Sequence, residues 1–151
     1  QKFMQWITLT HTQRWHSQHK TIGTGHLYQG RYKSFLIQKD DHLLAVIRYV
    51  ERNPLRAKLV KDIKNWAFSS LFHRLLNVES KRELLSPWPI DEPKDYFHFV
   101  TTLMTAEEID SIRYSVNRGK PFGRDDWSDR IIRKYGLLAT VRNRGGQNKG
   151  T

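Results

Sequence analysis

Three residues near the middle of the chain are of types that do chemistry together. Residues 41–53 place Leu43, Ile47 and Val50 at helical spacing as a buried stripe, with Leu44 and Val46 at its edges. At 100° per residue, His42, Tyr49 and Asn53 fall within about 40° of one another on the flank of that stripe. Tyr49 and Asn53 are four residues apart, so their side chains meet on a helix surface. A phenol beside a polar, ligand-type side chain is a candidate nucleophile next to a metal. The phenol titrates near about 10 and needs help to attack a phosphodiester, help that a divalent ion gives by neutralising the phosphate. The same pair also fits a plain role, with Tyr49 a half-buried packing aromatic and Asn53 a helix C-cap. Ser69 and Ser70, the other hydroxyl pair singled out, have no evident base in the sequence and are set aside as nucleophiles.

The elements that must carry these residues follow from periodicity and punctuation. Residues 3–19 read as a helix with Phe3, Trp6, Ile7 and Thr10 on one face, ended by the turn Thr21-Ile-Gly-Thr-Gly25. Residues 26–38 alternate aromatic and β-branched types, which predicts a strand or hairpin arm with a bulge at Gly30. Asp40 and Asp41 cap the next helix, which runs to about Arg52 and stops at Asn53-Pro54 because the residue before a proline avoids the α region. A short turn or helix covers 55–60, and a helix opens near Asn65 and covers 66–76, with Trp66 and Phe68 as core anchors. Pro87, Pro89 and Pro93 mark a loop. Helices follow at 94–103 and 106–117, then the tight turn Gly119-Lys-Pro-Phe-Gly123, then a helix to Tyr135 opened by Asp125 and Asp126.

Composition narrows the function classes. The 151 residues carry 26 Lys+Arg against 15 Asp+Glu, a net charge of +11. The absence of cysteine excludes a disulfide scaffold, a thiolate metal site and a thiol nucleophile. No apolar run is long enough to span a bilayer. The charge is uneven: +9 over residues 1–75, −5 over 76–112 and +7 over 113–151. Two basic pieces around an acidic connector point to nucleic acid as the partner. The chain opens with Gln1 already in a helical pattern, as if cut from something longer.

Three stretches in this order resemble one family: Tyr28-Gln-Gly-Arg-Tyr-Lys-Ser-Phe35, then Arg48-Tyr-Val-Glu-Arg-Asn-Pro-Leu-Arg-Ala-Lys-Leu-Val60, then Trp66-Ala-Phe-Ser-Ser70. The chain is similar to the single-tyrosine HUH transposases of bacterial insertion sequences, in the branch of the REP-associated tyrosine transposases. Residues 119–123 with Asp125, Asp126 and Trp127 resemble the C-terminal element of that branch. The resemblance implies an α+β, ferredoxin-like catalytic domain, truncated here and therefore mostly helical, with a helical C-terminal extension. It divides the chain into 1–76 (the end of the catalytic domain), 77–104 (an acidic, proline-containing connector and helix), 105–136 (the helical element) and 137–151 (a basic flexible tail). It implies that the parent enzyme cleaves and rejoins single-stranded, hairpin-flanked DNA through a 5′-phosphotyrosine, with Tyr49 the nucleophile, Asn53 a metal ligand and Mg²⁺ or Mn²⁺ the cofactor. The family's other ligands are a His-hydrophobic-His pair on a strand ahead of a helix like 3–19. The histidines here, at 11, 16, 19, 26, 42, 73 and 98, include no such pair. This stretch alone is therefore expected to bind metal poorly and to be inactive by itself.

The basic residues fit DNA contact. On a strand, Arg31 and Lys33 share a face with Phe35 and alternate with Tyr28 and Tyr32, a pattern of phosphate contacts among stacking platforms. Arg48, Arg52, Arg56 and Lys58 flank Tyr49 and can neutralise phosphates. The bland alternative for each is a solvated face. Residues 106–135 fit either a DNA-reading helix–turn–helix, with Arg124, Arg130, Arg133 and Lys134 near the second helix, or a packed helical hairpin. The expected partners are single-stranded or hairpin DNA, with no membrane and with a homodimer compatible, in a bacterial cytoplasm near the nucleoid. Two further readings stay open: a non-catalytic DNA-binding remnant or domesticated relative, and a basic RNA-binding module.

Overall fold

The computed structural model describes residues 2–28, 30, 32–75 and 85–142. Arg31, Leu76 and the basic tail from 143 onward lie outside them, as do residues 77–84 of the acidic connector. The chain divides into two compact units, Gln1–Ser34 and Phe35–Thr151.

The first unit is built on α1 (Lys2–His19), which buries none of its residues within the unit. Its apolar and polar side chains are spread around the axis rather than gathered on one face, and Phe3, Trp6 and Ile7 are all exposed. Lys20, in the left-handed region at φ 53°, ends the helix. His16 Nδ1 meets Thr21 Oγ1 at 2.8 Å and the His19 ring stacks on Trp15 at 3.9 Å, so both rings are engaged locally. The following segment returns to α1 where Tyr28 Oη meets His11 Nδ1 at 2.6 Å.

The second unit is helical. It contains α2 (Asp41–Glu51), α3 (Asn53–Arg56), a 3₁₀ turn (Ile63–Asn65), α4 (Ser70–Leu75), α5 (Tyr96–Thr101), α6 (Ala106–Arg118), α7 (Asp125–Tyr135) and a closing 3₁₀ turn (Leu138–Thr140). Ile63, Leu71, Tyr96 and Val100 form its buried cluster, with Ile47, Leu55, Trp88, Phe97 and Phe99 packed against it.

The α+β, ferredoxin-like expectation is overturned. The described residues contain no sheet, and the arm expected over 26–38 reduces to a single parallel bridge, Ile37 to Phe122. Strand-forming residue types make a strand only where a neighbour completes the ladder, and here one residue of the 119–123 turn is all that is offered. Two other expectations also fail. Residues 66–69 form a turn rather than the first turn of a helix, and Phe68 is 85% exposed rather than a core anchor.

What the bridge does is aim α2. Gln38 N donates to Phe122 O (2.9 Å), Phe122 N donates to Leu36 O (2.8 Å), and Gln38 Oε1 accepts from Arg124 N (2.9 Å). Two residues later Asp40 caps α2, its carboxylate accepting from His42 N at 3.0 Å and meeting His42 Nδ1 at 2.7 Å. The His42 ring then packs edge-on against Phe122. Gly123 is required at this junction, because a Cβ there would sit 2.5 Å from the Trp127 ring and 2.7 Å from Gln38 Oε1. Helix α6 docks on the other end of α2 through one carboxylate. Glu108 Oε2 accepts from Thr105 N to complete a capping box, while Oε1 accepts from Arg48 Nη2 at 2.8 Å.

Gly123→Ala should therefore lower the unfolding free energy by about 1–3 kcal/mol, the usual cost of overpacking; chemical denaturation measures it, and an unchanged midpoint would show that the 119–123 turn does not hold α2. Asp40 yields a pH signature. Desolvation pushes its carboxyl upward, but hydrogen bonds from the His42 backbone and ring, with the positive charges of His42 and Arg124, prevail and hold it below the usual carboxylate range. A lowered folded pKa means the stabilisation is full above the unfolded value of about 3.9 and is lost as pH falls through the folded one. Asp40→Asn, which keeps a capping oxygen, should melt lower than wild type at neutral pH and converge with it in strong acid.

Candidate functional site

Tyr49 lies on the last turn of α2, half-buried; Arg52 N still donates to Arg48 O, and α3 begins at Asn53 with Pro54 in its first turn. Arg52 keeps helical dihedrals (φ −77°, ψ −7°), so the path bends little and Asn53 and Arg56 stay on the Tyr49 side. The Arg56 guanidinium sits over the Tyr49 ring, 4.1 Å from its centroid, and its Nη2 donates to Asn53 Oδ1 at 2.8 Å. A phenol, an amide and a guanidinium are thus gathered at the junction of α2 and α3. Lys58, exposed just beyond, has φ 57°, a left-handed conformation that costs a residue with a Cβ about 1–2 kcal/mol.

The four cations expected around Tyr49 separate into two kinds. Arg48 and Arg52 point inward. Arg48 pairs with Glu108 and lies over the Phe99 ring, with its side chain 15% exposed. Arg52 Nη1 donates to Val100 O (3.1 Å) and Thr101 O (2.6 Å), closing the C-terminal carbonyls of α5. Burial, and then the charges of Arg48 and Arg56, lower the Arg52 pKa from its usual value. Arg56 and Lys58 remain at the surface. Lys33 is exposed in the first unit, and Arg31 lies outside the described residues.

Asn53, the expected metal ligand, has its Oδ1 accepting from Arg56 Nη2 at 2.8 Å. Among the described residues no three His, Asp or Glu side chains are grouped as a metal site would need.

Sequence reasoning missed Glu51. It placed Val50 on the buried stripe, yet Val50 is 59% exposed and Glu51 is 6% exposed. Glu51 Oε1 accepts from Ser70 Oγ and, at 3.2 Å, from Tyr96 Oη. Burial, with the Glu51 carboxylate beside it, drives the Tyr96 phenol well above its usual pKa against the opposing effects of Ser70 and Arg74, so it stays a donor. The signal was present: Leu43, Ile47 and Glu51 recur at four-residue spacing, a carboxylate continuing an apolar stripe.

Of the C-terminal helices, α6 buries Ile112 and Ser115 and α7 buries Ser128 and Ile132. Arg124 and Arg130 both approach Asp126 at 3.6 Å, while Arg133 and Lys134 are exposed. Among the described residues no helix is long and apolar enough to cross a membrane. No family model, curated protein or solved structure matches the chain.

Arg52→Ala should cost about 1.5–3 kcal/mol of stability, as expected for charged hydrogen bonds to partly buried carbonyls, whereas Arg56→Ala should cost less than about 1 kcal/mol. Urea midpoints of the two variants check the division; equal losses would contradict it.

Proposed function

We propose that this chain is a DNA-handling part of a single-tyrosine strand-transfer protein, with Tyr49 the nucleophile and single-stranded or hairpin DNA the substrate. The observation that carries the reading is the Arg56 guanidinium placed over the Tyr49 ring while bonded to Asn53. It puts a phosphate-binding cation within a side chain's length of a partly exposed phenol. The charge of +11 and the resemblance of the 28–35, 48–60 and 66–70 stretches to the single-tyrosine transposases support it further.

In the proposed step the Tyr49 oxygen attacks a backbone phosphorus. A Tyr–O–P bond forms and the P–O3′ bond breaks, leaving the 5′-phosphate on the tyrosine and the phenolic proton transferred to the departing 3′-oxygen. Arg56 is poised to meet the non-bridging phosphate oxygens, and Asn53 orients Arg56. The resemblance also implies a divalent ion, which Asn53 would help to hold and which would neutralise the scissile phosphate.

The test is covalent capture. A hairpin-flanked single strand with Mn²⁺ is offered to this stretch preceded by a His-hydrophobic-His strand and, separately, to this stretch alone. The expected result is an adduct with the former that Tyr49→Phe abolishes, with strand binding retained in both. Binding without any adduct would mark a non-catalytic DNA binder, and a strong preference for RNA would mark an RNA module; either outcome removes the proposal.

A further inference from the structure

The first unit differs in composition from the rest of the chain. Residues 1–34 carry five cations (Lys2, Arg14, Lys20, Arg31 and Lys33) and no Asp or Glu. Four rings of this unit stand in a row. Tyr28 lies 5.7 Å from His11, His11 lies 6.1 Å from Trp15, and Trp15 is stacked on His19 at 3.9 Å with 18° between the planes. Residues 11, 15 and 19 line up because they are spaced by four on α1. The bond between Tyr28 Oη and His11 Nδ1 fastens the returning segment to them. The row faces water: Trp15 is 40% and Tyr28 47% exposed, and His11 and His19 are exposed as well. Arg14 and Lys20, next to Trp15 and His19 in sequence, are also exposed.

Charge and shape select the partner. Cations without a single acid attract an anionic one. A lipid surface calls for a pronounced apolar face on the helix, and a helical protein partner calls for an apolar stripe. Helix α1 has neither, because its apolar side chains are spread around the axis. Unpaired bases need no such face. Each stacks on one ring while a nearby cation meets its phosphate, which is how proteins hold single strands without reading their sequence. We propose that the row of Tyr28, His11, Trp15 and His19 is a stacking platform for the bases of single-stranded DNA, with Arg14 and Lys20 as its phosphate contacts. The platform shares no residue with the Tyr49 cluster. Taking the strand to be DNA rests on the proposed function; the stacking does not.

The full chain is titrated with a short oligothymidylate and, separately, with an oligouridylate of the same length, over a range of salt. Fluorescence anisotropy reads the affinity and NMR follows the Trp15 indole N–H. Trp15→Ala should weaken oligothymidylate binding roughly fivefold or more, the worth of one base on an aromatic ring. Trp15→Phe keeps a ring and should recover most of that loss. Arg14→Ala should lower the slope of log affinity against log salt by about 0.7. Leu9→Ala removes a comparably exposed aliphatic side chain from the same helix and should leave the affinity unchanged. An unchanged affinity in Trp15→Ala, an equal loss in Leu9→Ala, or tighter binding of oligouridylate overturns the proposal. So does a Trp15 signal that follows protein concentration without DNA, which marks a contact between copies. A Trp15 signal that stops responding once a His-hydrophobic-His strand precedes the chain marks that strand as the cover of α1 and overturns it too. Trp15-dependent binding without a Tyr49 adduct removes strand transfer and keeps the platform; an adduct with strand affinity untouched by Trp15→Ala removes the platform alone.

Discussion

One carboxylate with almost no access to water holds the second unit together at its centre. Glu51 ends α2, Ser70 begins α4 and Tyr96 begins α5, and all three meet at a single oxygen. A polar group in that position is tolerated only because its hydrogen bonds repay part of the lost hydration. The consequence is geometric. Helices that share an acceptor cannot slide past one another without exposing it, so the register of α2 against α4 and α5 is set at the residue two places after Tyr49. The apolar cluster of Ile63, Leu71 and Val100 adds bulk attraction but no comparable directionality.

Around that anchor the arginines of one short segment do different work according to the direction they face. Arg48 and Arg52 are spent on Glu108 and on the carbonyl end of α5, and they bind the acidic middle of the chain to its basic first half. Arg56, one turn beyond Arg52, meets an aromatic face and an amide instead of a carboxylate or a helix end. Among the described residues no carboxylate pairs with it. A row of positive residues in sequence is thus a poor guide to surface charge unless the acceptors are known.

The elements at the heart of the second unit were legible because their punctuation is strong. Asp40 before an amphipathic run, and proline after Asn53, bound α2 to within a residue, and Gly119 to Gly123 reads as the turn it is. What could not be read is what depends on partners. The alternation over 26–38 is a real pattern, but a strand is a property of a pair, and here the pairing is one residue long. Val50 and Glu51 were exchanged between surface and interior because hydrophobicity ranks valine inward and cannot know that Ser70 and Tyr96 wait for a carboxylate. Phe68 followed the same rule to the same error. Of the site, Tyr49 and Asn53 each meet Arg56 from the next turn, and the engagement of Asn53 by that arginine depends on how the helix continues through Pro54.

Lys58 carries a last consequence. Its left-handed backbone costs free energy that a glycine would not lose. Lys58 N still donates to Leu55 O and Leu59 N to Pro54 O, so the end of α3 is kept in that shape by its surroundings rather than by the preference of the residue itself.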